Sequence, residues 1–258
     1  MTPSFPLSSA FRSLAVLVVA VCLSPAGPAR AGPPYVTDDP QPVDVRHWEV
    51  YLSLTGQSDS SGRSGDAPHF EANYGAAPEL QLHLIVPLSY SRPSGGPTSW
   101  GLGDIELGVK YRFVEEGDVR PQIGTFPLVE VPSGDTDRRL GSGKTRVFFP
   151  LWLQKSFGKW TTYGGGGYWI NPGAENRDWW FAGWQAQVQL TRSFAPGAEI
   201  WYQSPDAAGA GDEVRFNIGA VLDFGEHHHL LASAGRAVHG CDCSQAYLAY
   251  LLTFGPRP

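Results

Sequence analysis

From Asp104 to Phe113 the side chains alternate without a break. Asp104, Glu106, Gly108, Lys110 and Arg112 fill one set of positions; Ile105, Leu107, Val109, Tyr111 and Phe113 fill the other. Successive side chains of a β-strand point to opposite faces, so the stretch predicts a strand with one charged side and one wholly apolar side. The pattern recurs where Glu213, Arg215, Asn217, Gly219 and Asp223 oppose Val214, Phe216, Ile218, Ala220, Leu222 and Phe224. Leu80, Leu82, Leu84, Val86 and Leu88 share one face, and Gln185, Gln187 and Gln189 alternate with Trp184, Ala186, Val188 and Leu190.

Strands are predicted at 47–56, 68–74, 79–90, 101–114, 120–132, 144–157, 160–170, 179–194, 198–203, 212–224, 228–236 and 245–254. Their connections alternate in length. Long polar loops (57–67, 91–100, 133–143, 171–178, 204–211, 237–244) are interleaved with short turns at 75–78, 115–119, 158–159, 195–197 and 225–227. A soluble sandwich has no reason to segregate its loops in this way. The expected fold is all-β: a transmembrane up-and-down antiparallel β-barrel of about twelve strands, with short periplasmic turns and long outer loops. Aromatic rings fit two interfacial belts. Trp48, Tyr74, Phe113, Phe157, Trp160, Phe194, Phe224 and Phe254 sit beside the short turns; Tyr90, Trp100, Trp169, Trp179, Trp180 and Tyr202 sit beside the long loops.

Composition closes off other classes. With 42% hydrophobic and 12% aromatic residues the chain is too apolar for disorder. Beyond the N-terminus no apolar run is long enough for a membrane helix. Residues 1–31 read as a cleaved signal peptide: Arg12 precedes an apolar core from Leu14 to Leu23, and Ala29-Arg30-Ala31 fits the cleavage rule. Residues 32–46 are then a periplasmic N-terminal segment and 47–258 the barrel, delivered to the bacterial outer membrane. Of 19 basic residues, Arg12 and Arg30 leave with the signal, so 17 face 25 acidic ones, a formal charge of −8. That balance argues against nucleic acid as a partner. Only Cys241 and Cys243 remain, and one intervening residue is poor geometry for a disulfide.

Several stretches are similar to the outer-membrane transporter family named for its association with meta-pathway phenol degradation. They are Thr37-Asp38-Asp39-Pro40 ahead of His47-Trp48-Glu49, then Asn73-Tyr74-Gly75, then Gly101-Leu102-Gly103-Asp104 leading into Leu107-Gly108-Val109-Lys110-Tyr111-Arg112-Phe113, and Val131-Pro132-Ser133-Gly134-Asp135. The resemblance covers most of the chain after the signal and rests on short structural motifs. It implies an outer-membrane barrel passing small organic compounds. One departure is that Phe254 is followed by Gly255-Pro256-Arg257-Pro258, where such barrels usually end on an aromatic residue.

Other motifs weigh little. His227-His228-His229 and His239-Gly240-Cys241-Asp242-Cys243 carry metal-ligating side chains, but the intervening strand separates them by about 25 Å. No metal and no cofactor is assigned. Gly141-Ser142-Gly143-Lys144-Thr145 echoes a phosphate loop, yet Arg138 replaces the required earlier glycine and no helix follows. A barrel enzyme would need Ser, His and an orienting acid together; His83 with Ser53 and Glu49 is the nearest approach, and no catalytic residue is assigned.

The inward positions are the informative set. Glu49, Glu71, Glu79, Asp104, Glu106, Glu130, Glu199, Glu213 and Asp223 oppose Lys110, Arg112, Lys144, Arg146 and Arg215. Buried charges are paired or wet, so this lumen holds water or an incomplete ion-pair network. The lumen-lining set adds Tyr51, His83, Trp152, Gln185, Gln187 and Trp201. The expectation is a non-enzymatic channel for passive passage of small organic solutes, aromatic ones included, with an acidic lumen favouring cationic or neutral compounds. Its other partners are outer-membrane lipids and the barrel-assembly machinery. The alternatives are a closed structural or surface-binding barrel and, behind it, a lipid-modifying enzyme.

Overall fold

The computed structural model describes residues 33–256. The signal peptide expected at 1–31 lies outside the described residues. Fourteen hydrogen-bonded segments occur in chain order: β1 (Trp48–Asp59), β2 (Gly62–Ala77), β3 (Leu80–Pro93), β4 (Ser99–Leu102), β5 (Ile105–Val114), β6 (Gln122–Thr125), β7 (Leu128–Val131), β8 (Arg146–Phe157), β9 (Trp160–Ile170), β10 (Trp179–Val188), β11 (Phe194–Gln203), β12 (Glu213–Asp223), β13 (His228–His239) and β14 (Ser244–Phe254). Both β4 and β5 pair with β3, and both β6 and β7 lie between β5 and β8. Each of these couples is therefore one strand with a break, at Gly103-Asp104 and at Phe126-Pro127. Pro127 has no N–H to give a ladder, which accounts for the second break. Twelve antiparallel strands result, closed by β1 against β14 from Trp48↔Phe254 to Ser58↔Ser244.

The alternation read from the sequence is the alternation of the wall. Leu107, Ile218, Ile200, Leu151, Leu248 and Leu52 point outward and are exposed, Ile218 by 62%. So continuous an apolar exterior has no stable place in water and marks a lipid-facing surface. Rings gather at both rims, with Trp48 4.5 Å from Tyr74 at the short-turn end and Tyr90 5.1 Å from Trp100 at the other.

Several expectations need correction. The loop at 57–67 is mostly strand: β1 and β2 run on to a two-residue turn, with register shifts at Ser53/Gln57 and Asp66/His69. Its polar composition reflects a hairpin standing clear of the lipid. The turn expected at 195–197 falls instead at 189–193, and Pro196 lies within β11. The β10 ladder ends at Gln187↔Gly197, so no partner on that side asks Pro196 for an N–H. Trp169 and Trp179 leave the outer belt, because their positions are inward and they stack on each other at 5.1 Å inside the lumen. Lys144 is exposed in the 132–145 loop. Cys241 and Cys243 are disulfide-bonded, which closes only a three-residue ring and staples nothing else.

Residues 33–46, the described part of the 32–46 segment read as lying ahead of the barrel, enter it from the short-turn end. Arg46 N–H donates to the Gly75 carbonyl there. The chain then crosses the lumen, burying Thr37, Asp39 and Pro40 completely. Gly197 leaves room for it, since a Cβ there would lie 2.6 Å from the Tyr35 hydroxyl.

Candidate functional site

The inside of the barrel is divided lengthwise. One side is filled by rings from β8 to β11: Phe148, Trp152, Phe181 and Trp201 pack with Phe126, and Trp169 stacks on Phe148 at 4.8 Å. Nearer the short turns Tyr51, Ala195, Val221, Leu231, Ala249 and Leu251 form a second apolar cluster. The other side, under β2, β3, β5 and β7, is open. A cavity of about 1300 Å³ opens among residues of the short-turn end such as His47, Glu226 and His227, and reaches Glu71, His83 and Lys110. A second, of about 530 Å³, lies under the 132–145 loop among Asp66, Asp104, Glu130, Arg139 and Arg146. Both cavities are lined by His69, Ile85 and Glu106, so these three residues form a waist between them.

The residues predicted to line the lumen occupy inward positions. Tyr51, His83, Lys110, Trp152, Gln185, Gln187, Trp201 and Arg215 are buried; Glu49, Glu79, Asp104, Glu106, Arg112, Arg146, Glu213 and Asp223 are half-buried. They do not form one site. Trp152 and Trp201 are packed into the ring slab and line neither cavity, whereas Tyr51 faces the larger one. Glu213 and Asp223 belong to the far wall, where Glu213 pairs with Arg215 at 2.6 Å and Asp223 with His229 at 2.5 Å.

Most lumen cations are matched. Arg112 pairs with Glu79 and Arg146 with Glu130. Arg146 also lies over the Trp169 and Trp179 rings, at 5.8 and 5.9 Å. Lys110, 4% exposed, reaches Asp38 at 2.8 Å and Asp39 at 3.3 Å on the crossing segment. Burial, reinforced by the neighbouring Asp38 and opposed by the Lys110 ammonium, pushes the Asp39 carboxyl up to about 7. Burial pushes Asp38 up as well, but the Lys110 ammonium outweighs it and holds that carboxyl below its usual range. On the opposite wall Glu199 accepts from the Val36 and Thr37 N–H groups at 2.9 and 2.8 Å and from Asn217. The segment is thus held by a cation at one wall and an anion at the other.

At the waist the balance differs. Glu71 and Asn73 on β2, Gln81 and His83 on β3 and Glu106 on β5 form one network, with Asn73 Nδ2 2.7 Å from Glu71 Oε1 and His83 Nε2 3.0 Å from Glu106 Oε1. Asp66 accepts from Ser89 at 2.6 Å and lies 3.1 Å from His69 Nδ1. Among the described residues, the charged groups within ion-pair distance of Asp66, Glu71 and Glu106 are His69 and His83. Sequence reasoning placed Glu71 inward but missed Asp66 and His69, because one lay in an assumed loop and the other beside it.

Other candidates resolve simply. His83 faces Asn73 and Glu106, while Ser53 donates to the His69 carbonyl, so the Ser53 hydroxyl and the His83 ring are committed to different partners. Ser142 of the Gly-Ser-Gly-Lys-Thr stretch donates to Asp104 at 2.7 Å and helps fold the 132–145 loop inward. His239 lies 3.5 Å from Asp212, while the Cys241 and Cys243 sulfurs are bonded to each other beside Glu213.

No family model matches the chain, and no curated protein matches it. Solved structures do. The fold is similar to that of the COG4313 outer membrane channel from Pseudomonas putida F1, with 17% identity, a TM-score of 0.63, and coverage of 87% of this chain and 100% of that one. The KdgM porin (8% identity, TM-score 0.54, coverage 80% and 99%) and the NanC porin (8%, 0.53, 81% and 100%) share it too. At such identities the likeness is one of fold.

Proposed function

We propose that this chain is an outer-membrane channel through which small solutes pass passively, exported by a signal peptide at residues 1–31 and inserted by the barrel-assembly machinery. The observation that carries this reading is the pair of cavities meeting at His69, Ile85 and Glu106. A barrel built only as a wall gains nothing from a wet, acidic half, since polar groups inside it must be hydrated or paired. Its structural neighbours, an outer-membrane channel and porins, support the same reading. With Trp152 and Trp201 packed away, passage favours polar and cationic solutes over aromatic ones.

The closed structural barrel also has an observation in its favour, the segment crossing the lumen. Planar-bilayer recording of the purified protein separates the two. A channel gives stepwise, cation-selective current, lowered when Glu71→Gln and Glu106→Gln are combined. Absence of current, together with absence of uptake into proteoliposomes, favours the closed barrel.

A further inference from the structure

The contacts of His83 are those of a cation. Its Nδ1 lies 2.6 Å from Asn73 Oδ1 and its Nε2 3.0 Å from Glu106 Oε1. A neutral imidazole has one N–H and one acceptor nitrogen, so it satisfies two acceptors only by taking a second proton. The assignment turns on which end of the Asn73 amide faces the ring, and a chain of hydrogen bonds fixes it. The Val43 backbone N–H can only donate, and it lies 2.9 Å from Gln81 Oε1. Gln81 therefore presents its Nε2 to Asn73 Oδ1, at 2.9 Å. Asn73 in turn presents Nδ2 to the Glu71 carboxylate at 2.7 Å. Turning either amide over would set donor against donor at one end and acceptor against acceptor at the other.

The surroundings agree. Glu71 Oε1 is also 3.7 Å from His83 Nδ1, so carboxylates from β2 and β5 flank the ring. The Phe126 ring meets it edge to face, 5.0 Å away. Lys110, on β5 of the same wall, is committed to Asp38 and Asp39 of the crossing segment. Further along the same wall His69 is matched to Asp66.

We propose that His83 is a standing imidazolium at neutral pH, and that Glu71, His83 and Glu106 act together as the charge filter of the passage, admitting small cations. The filter rests on the channel reading; the protonation of His83 does not. Two carboxylates and one imidazolium leave a single net negative charge beside Ile85. That charge attracts a cation, and it binds one less tightly than two uncompensated carboxylates would, so an ion that enters can also leave.

Two measurements on the full-length protein test this. The first is nitrogen NMR of histidine-labelled protein in detergent at neutral pH, with His83 assigned by the signal lost in His83→Gln. Both ring nitrogens are expected at protonated shifts; a neutral tautomer overturns the proposal. The second is the bilayer reversal potential under a potassium chloride gradient. His83→Gln removes a positive charge, and the cation-to-anion permeability ratio should rise about sixteenfold, because one charge at about 5 Å in water favours a cation about fourfold and disfavours an anion about fourfold. Glu106→Gln should lower the ratio by a similar factor. A ratio unchanged in both variants, each first shown by heat-shifted gel mobility to be folded, overturns the filter. If the wild type passes no current, the channel reading fails and the filter falls with it, while the NMR result still decides the protonation of His83.

Discussion

Replacing Lys110 with Met should loosen the crossing segment without unfolding the barrel. Lys110 is 4% exposed and is the cation that Asp38 and Asp39 share. Removing one partner of a buried ion pair costs about 3–5 kcal/mol, because the other charge stays buried and uncompensated. Here the lower end applies. Asp39, already raised to about 7, takes up a proton near neutrality at little cost, which leaves Asp38 as the main stranded charge. About 3 kcal/mol corresponds to roughly a hundredfold shift toward the released segment. The grip of Glu199 on Val36 and Thr37 remains, so the segment opens more often but still docks. The opening is read by placing a cysteine at the fully buried Thr37 and timing its maleimide labelling; Cys241 and Cys243 are bonded and silent. Labelling should quicken by about a hundredfold in Lys110→Met, and further when Glu199→Gln is added. The same probe carries a pH dependence. A released Asp39 is ionised at both pH 8 and pH 6, whereas a docked one gains a proton as pH falls through about 7. Docking therefore tightens toward pH 6, and labelling should slow beyond the change seen at an exposed control cysteine. An unchanged rate in Lys110→Met would refute this account of the anchor, and so would a loss of heat-shifted mobility showing that the whole barrel had melted.

Two further outcomes follow from the wall and the rim. Leu107→Arg or Ile218→Arg puts a charge into lipid and should cost about 2–4 kcal/mol if near the midplane, whereas Ser156→Arg faces the larger cavity and should lower the denaturant midpoint far less. Exchanging Cys241 and Cys243 for Ser should cost less than about 2 kcal/mol, because so short a loop removes little entropy from the unfolded chain; a larger fall in the unfolding midpoint would mean the bond holds more than its own turn.

The wall was legible because lipid and lumen enforce a strict two-residue period, as in 104–113 and 213–224. Hydrophobicity alone misplaced the ends of strands. Polar residues at 57–67 continue the β1–β2 hairpin beyond the lipid, where nothing selects for apolar side chains. Trp169 and Trp179 misled for a related reason. A tryptophan near a loop suits an interfacial belt and a packed lumen equally well, and only parity along the strand separates them. The crossing segment was not legible at all. Asp38, Asp39 and Glu199 carry no local signal of pairing, since their partners lie about 70 and 160 residues away in the chain.

The free space inside the barrel is set by its filling more than by strand number. Twelve strands about 4.8 Å apart and tilted about 45° give a backbone radius near 13 Å. Left to ordinary inward side chains, such a barrel would hold a broad column of water. In this chain the β8–β11 rings occupy one side and residues 35–43 cross the middle, so the space remaining is the β2–β7 strip and its waist. Charge follows the same division. Arg112, Arg146 and Arg215 pair with carboxylates along the barrel, and Lys110 is spent on the segment. At the waist Asp66, Glu71 and Glu106 are matched by His69 and His83 instead. On the channel reading proposed above, every ion that passes meets the charges where the two cavities join, so a change of one charge there acts on all of them, while the same change in the slab or at the rim acts on few.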